Sequence, residues 1–103
     1  GERIEHFVAH TLFFDEFPEL QIVDEYSTIK LLQEGLHDVH SKGYVSLFAY
    51  PKAKLSLIGF KYPLSTYLLM TYDPLCISNE VVEDHGIIHI HEGRILMIES
   101  LKS

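Results

Sequence analysis

Ser27-Thr28-Ile29-Lys30-Leu31-Leu32-Gln33-Glu34-Gly35-Leu36-His37-Asp38-Val39 places Ile29, Leu32, Leu36 and Val39 at intervals of 3, 4 and 3 residues. That spacing lays the four side chains along one face of an α-helix, and Ser27 stands where a hydroxyl accepts from the first unpaired N–H groups. Gly35 weakens such a helix by about 1 kcal/mol relative to alanine. Gly43 lies just beyond it, where a left-handed C-terminal cap is expected.

Upstream, Ile4, Phe7, Val8 and Thr11 repeat the helical spacing, with Phe14 near the same stripe, so a first amphipathic helix is expected over residues 3–14. Pro18, among the acids Asp15, Glu16 and Glu19, breaks it. Leu20-Gln21-Ile22-Val23 then reads as a brief edge strand.

Downstream of Gly43 the period changes to two. Val45, Leu47 and Ala49 alternate with Tyr44, Ser46, Phe48 and Tyr50. Pro51-Lys52-Ala53-Lys54 is expected to turn the chain into a returning strand over residues 55–62, and residues 64–72 supply a third strand. Asp73 to Gly86 is the longest irregular stretch. Residues 87–91 and 94–101 flank Glu92-Gly93, which has the length and the glycine of a tight hairpin. The expected architecture is a single α+β domain over residues 1–103, with two helices packed on one face of a mainly antiparallel five- or six-stranded sheet.

The chain has 103 residues, 47% of them apolar and 22% charged, which fits one packed core and excludes a disordered tail. No apolar run approaches the ~20 residues that cross a bilayer, and no signal peptide opens the chain, so a soluble, cytoplasmic protein away from membranes is expected. The formal net charge is −7, and its placement is uneven. Residues 1–40 hold nine acids against Arg3 and Lys30, whereas residues 41–103 balance six acids with six bases. Phosphates would be repelled by such a surface, so direct nucleic-acid binding is disfavoured and a basic partner is permitted; a merely solubilising face is the alternative.

Seven histidines are an excess for this length. His89 and His91 share one face of an expected strand, with Asp84 and His85 upstream, while His6 and His10, and His37 and His40, are helix-spaced pairs. Two ligands on one strand do not make a metal site, so these side chains are read as solvent-facing, with no metal and no cofactor. Cys76, the sole cysteine, sits in Pro74-Leu75-Cys76-Ile77, an apolar setting that raises a thiol pKa. The chain carries no nucleophile elbow, phosphate-cradling glycine loop or zinc-protease motif. Adjacent acids such as Asp24-Glu25 and Glu83-Asp84 point to opposite faces of a strand and cannot share one proton-transfer task. An enzyme is therefore not expected.

What remains is Asp24-Glu25-Tyr26-Ser27, an acidic segment between the edge strand and the second expected helix. Its carboxylates favour a helix N-terminus through the dipole, and they are also spaced to imitate consecutive phosphates.

In the order of its elements the chain resembles the uracil-DNA glycosylase inhibitors of phages and staphylococci. The resemblance is carried by Leu20-Gln21-Ile22-Val23-Asp24-Glu25-Tyr26-Ser27, by Gly43-Tyr44-Val45-Ser46-Leu47-Phe48-Ala49 and by Arg94-Ile95-Leu96-Met97-Ile98. It implies a DNA mimic whose edge strand and acids enter the basic groove of the glycosylase and block uracil excision. By position, Glu25 matches the motif glutamate and Glu34 the acid on the second helix, with Asp24, Tyr26, Ser27 and Asp38 beside them. Ile29, Leu32, Leu36, Val45, Leu47 and Met70 would line the apolar pocket that captures the enzyme's wedging leucine. Tyr26 stands where the motif serine belongs, and the second helix is less acidic than the family's. The alternative is a small acidic interaction or immunity-type domain with a different partner.

Overall fold

The computed structural model describes residue 16 and residues 21–102. The expected helix over 3–14 lies outside these residues. The described elements are six strands and one 3-10 turn: β1 (Gln21–Val23), β2 (Ser27–Leu32), β3 (Gly35–Val39), β4 (Tyr44–Ile58), β5 (Leu64–Met70), the turn Pro74–Cys76, and β6 (Gly86–Ser100). All pair antiparallel in one sheet of order β1-β2-β6-β4-β5, with β3 also on β6. The expected α+β class is thus corrected to an antiparallel β architecture. No helix among the described residues is long and apolar enough to cross a membrane.

The second expected helix is two strands. Ser27–Leu32 pairs with the C-terminal half of β6, and Gly35–Val39 with its N-terminal half. The 3-4-3 spacing does not define a stripe here. Leu32 and Val39 enter the main core, Ile29 packs against Leu31 and Leu96 in a second cluster, and Leu36 is 70% exposed. Burying Leu31 and Leu32 in different clusters is a strand's behaviour, because successive side chains point to opposite faces. Gly35 breaks the run at φ +127°, a value closed to a helix. The long flank of β6 offers ladder hydrogen bonds to both segments, and that tertiary pairing overrides a weak local preference. Gly43 is likewise no helix cap: a Cβ there would lie 1.9 Å from the Ser100 carbonyl oxygen.

Both expected turns are bends inside continuous strands. β4 and β6 each run 15 residues, through Pro51-Lys52-Ala53-Lys54 and through Glu92-Gly93 respectively. The two bends face each other, with Ala53 opposite Gly93 and Lys54 opposite Glu92, between irregularities in the ladder. Gly93 has φ +86°, and a Cβ on it would meet the Lys52 carbonyl oxygen at 2.2 Å. Bulges of this kind turn a corner in a sheet. Fifteen extended residues would span roughly 50 Å, whereas the longest dimension of the molecule is 33 Å, so the strands must bend.

The bend lets one sheet enclose its own core. Val45, Leu47 and Ala49 before the corner and Ala53, Leu55 and Leu57 after it point into one cluster with Ile88, Ile90, Ile95 and Met97. The chain after β5 then closes the curl. Asn79 pairs with Val45 at the start of β4, and Val81 pairs with Phe60 just past its end.

Candidate functional site

The structure separates the residues that the sequence grouped. Asp24, Glu25, Tyr26 and Ser27 line a shallow cavity of about 290 Å³ with Lys42, Gly43 and Glu99, at the open ends of β2 and β6. Asp24 is occupied in folding the β1–β2 hairpin: its Oδ1 accepts from the N–H groups of Tyr26 and Ser27, both at 2.8 Å. Glu34 is elsewhere, with Oε2 accepting from the Gly93 N–H at 3.1 Å. Asp38 lies 3.5 Å from His85, opposite Ile87 near the far end of β6. The six apolar candidates lie in different places. Leu32, Val45 and Leu47 are core, Ile29 belongs to the other cluster, Leu36 is exposed, and Met70 is half-exposed beside the β4–β6 corner.

The histidines fall into separate places. His89 and His91 stack with ring centroids 4.0 Å apart, and His91 Nε2 bonds Ser56 Oγ at 2.9 Å. His40 faces His85 at 5.5 Å. Cys76 is buried, and desolvation pushes its thiol up to about 11, which makes it an inert apolar side chain as its neighbours suggested.

A different cleft is built with more care. It measures about 450 Å³ and is lined by Tyr62, Asp73, Pro74, Leu75 and Ile77, where the segment after β5 folds back along the end of β4. Behind the main chain of Tyr62, and hydrogen-bonded to it, is Asn79, a buried polar side chain 2% exposed. Its Oδ1 accepts from the N–H of Tyr62 at 3.0 Å and of Glu80 at 2.9 Å, and its Nδ2 donates to the Tyr62 carbonyl at 3.0 Å. A carboxamide can satisfy the main-chain donor and acceptor of one residue in this way; a carboxylate has no donor to give. The main chain of Asn79 is fixed as well, by a reciprocal pair of 2.8 Å bonds with Val45. Ser78 just before it takes a left-handed φ of 57° and donates its N–H to Ser46 Oγ at 2.9 Å.

The result is an immobilised backbone under an exposed aromatic ring. Tyr62 is 56% exposed, and the Lys61 ammonium lies 5.6 Å from its ring centroid. Glu80 holds Lys61 at 3.7 Å and also pairs with Lys102, whose ammonium keeps the Glu80 carboxyl below the usual carboxylate range. Asp73 caps the 3-10 turn: Oδ1 accepts from the Leu75 N–H at 3.0 Å, and Oδ2 accepts from the Tyr67 hydroxyl at 2.5 Å. The Tyr67 bond is the chief reason that the Asp73 carboxyl ionises below its ordinary range.

Sequence reasoning passed over Tyr62, Asp73 and Asn79. Asp73 and Asn79 lie in the stretch read as irregular and Tyr62 at the end of an expected strand, and nothing in apolar periodicity distinguishes a buried asparagine from a loop one.

The larger cavity, about 500 Å³ at the β4–β6 corner, has a different character. Lys52, Lys54 and Arg94 line it, and the Arg94 guanidinium lies 4.9 Å from the Tyr50 ring centroid.

Comparison with known proteins supplies a family. The profile of the family described as thiamin pyrophosphokinase, vitamin B1 binding domain, matches residues 28–95. This stretch holds Tyr62, Asp73 and Asn79 and leaves out Asp24–Ser27. Thiamine pyrophosphokinase of Bacillus subtilis strain 168 is 28% identical over 109 residues, covering 97% of this chain and 51% of that protein. The crystal structure of the Bacillus subtilis enzyme superposes with a TM-score of 0.89 at 27% identity, over 100% of this chain and 53% of that one. That of thiamin pyrophosphokinase from Geobacillus thermodenitrificans gives 0.84 at 29%, over 100% and 51%. The chain therefore spans about half the length of the relatives it matches.

These findings overturn the glycosylase-inhibitor resemblance and with it the DNA mimic. The acidic adaptor reading has no support from them either. The expectation of a chain unconnected with catalysis is corrected too, since the relatives are named for an enzyme. From β2 to the second half of β6, this chain belongs to the thiamin pyrophosphokinase vitamin B1 binding domain family.

Proposed function

We propose that this chain is the thiamin-binding part of a thiamin pyrophosphokinase, and that the cleft of Tyr62, Asp73, Leu75 and Ile77 is where thiamin sits. The observation that carries the reading is the clamp of buried Asn79 on the main chain of exposed Tyr62. That clamp fixes the main chain that carries the aromatic ring lining the cleft.

Thiamin is two flat heterocycles, an aminopyrimidine and a cationic thiazolium, with a hydroxyethyl arm that accepts the pyrophosphoryl group. The cleft presents an aromatic face, an ionised carboxylate and apolar walls, which suit a flat cation. Its volume, about 450 Å³, lies in the range of small-molecule sites. The larger corner cavity is the poorer host, because its three bases, Lys52, Lys54 and Arg94, outnumber its one acid, Glu92, and would oppose a positive ligand.

Calorimetric titration with thiamin tests this. Saturable binding is expected, weakened at least about tenfold by Tyr62→Ala and largely kept by Tyr62→Phe, since the ring rather than the hydroxyl does the stacking. Binding undiminished in a folded Tyr62→Ala variant would remove the cleft from the site.

A further inference from the structure

Resting on the reading that the cleft binds thiamin, we infer that Asp73 makes the site select a permanently charged heterocycle over a neutral ring of the same shape, with Tyr67 as the positioning residue that holds its carboxylate in place. Each oxygen of Asp73 is tied, one to the Tyr67 hydroxyl at 2.5 Å and the other to the Leu75 N–H at 3.0 Å. A carboxylate so held is fixed in orientation at the wall of the cleft, and each oxygen keeps a further lone pair for a ligand. Both bonds come from donors, and both favour the ionised form over the neutral acid.

Tyr67 is itself anchored. Its ring packs against the main core, and its backbone pairs with Leu55 of β4. The hydroxyl therefore reaches Asp73 from a fixed base in β5, while the 3-10 turn contributes the second donor. This preorganisation matters because a free surface carboxylate gives little selectivity: solvent screens it, and ordering it costs entropy. The Lys61 ammonium near Tyr62 adds repulsion to any cationic ligand, and Asp73 supplies the opposing charge within the same cleft.

Capping of the 3-10 turn is the competing account of Asp73, and substitution separates the two. Asparagine caps a turn about as well as aspartate but carries no charge. The measurement is the ratio of two calorimetric affinities: that for thiamin, and that for its uncharged isostere with carbon in place of the quaternary nitrogen. In the unaltered protein thiamin should be preferred by about tenfold, the scale of one partly screened charge pair. Asp73→Asn should bring the ratio close to one while the circular dichroism spectrum is unchanged. Tyr67→Phe, which keeps the ring packing, should lower the ratio by about threefold.

A ratio unchanged in folded Asp73→Asn would overturn the inference and leave Asp73 as a cap. A ratio lowered by Asp73→Asn but unmoved by Tyr67→Phe would overturn the role of Tyr67. Absence of thiamin binding by the unaltered protein would instead sink the cleft assignment, and the inference with it.

Discussion

The carboxamide of Asn79 holds both main-chain polar groups of Tyr62, accepting from the N–H and donating to the carbonyl, each at 3.0 Å. Replacing it with alanine strands those two groups and the Glu80 N–H. Loss of about 2–4 kcal/mol is expected, the sum of several buried polar groups left partly unpaired. Asn79→Asp should be nearly as damaging, because an ionised oxygen would face the Tyr62 carbonyl. Urea unfolding of both variants gives the cost. Losses under about 0.5 kcal/mol, the range of ordinary surface substitutions, would mean that the clamp is not structural.

Gly93 is expected to tolerate no side chain. At φ +86° an added Cβ would lie 2.2 Å from the Lys52 carbonyl oxygen, and the atoms it would meet in Lys52 and Ala53 are all backbone. Gly93→Ala should cost more than about 3 kcal/mol, combining left-handed strain with a forced opening of the corner. Gly35, also at positive φ, has nothing within 4 Å of its Cβ position. Gly35→Ala should therefore show the backbone penalty alone, about 1–3 kcal/mol. Equal midpoints for the two variants in thermal denaturation would refute this account of the bend.

Part of this fold was legible in residue pattern. The alternation of Val45, Leu47 and Ala49 identified a strand, and of residues 20–23, read as an edge strand, Gln21–Val23 form one at the end of the described sheet. The sheet was correctly antiparallel. Residues 27–39 misled because the 3-4-3 spacing runs across a break at Gly35 between two strands, with Ile29 in one cluster, Leu32 and Val39 in the other, and Leu36 exposed. Pro51-Lys52 and Glu92-Gly93 carry turn chemistry, but paired side by side they make a corner rather than two hairpins. Only the non-local ladder between β4 and β6 decides between these outcomes, and local sequence does not contain it. The site was illegible for the same reason: Tyr62 and Asn79 meet across 17 residues.

Acid should destabilise the protein through two carboxyls. Asp73 is held below the usual range chiefly by the Tyr67 hydroxyl, and Glu80 chiefly by Lys102. In the unfolded chain both take up protons near pH 4. Between that point and the lower folded values the unfolded state binds more protons, so stability rises with pH there. The contribution is complete above the unfolded values and disappears as pH falls through the folded ones. The Glu80–Lys102 pair adds an alkaline counterpart. The Lys102 ammonium is held above its ordinary pKa by Glu80, so its share is complete below that value and is lost as pH rises through the folded one. Urea midpoints followed from pH 7 to pH 3 should fall, and less steeply in Asp73→Asn and Glu80→Gln. Parallel curves for all three proteins would show that other groups govern the acid limb.

Cys76 should behave as part of the core rather than as a thiol. It is 1% exposed, belongs to the main cluster, and has its pKa pushed up to about 11 by burial. At pH 8 only about one molecule in a thousand would carry the thiolate that attacks a disulfide reagent. Native protein should therefore leave such a reagent untouched over hours, and denatured protein should release one equivalent at once. Cys76→Ala should cost about 1 kcal/mol for a small vacated volume. Cys76→Ser, nearly the same size, should cost more, because its hydroxyl enters an apolar site without a partner. A serine variant as stable as the alanine variant would place a hydrogen-bond acceptor or a water beside residue 76, and rapid labelling of the native protein would show that the turn Pro74–Cys76 opens often enough to expose the sulfur.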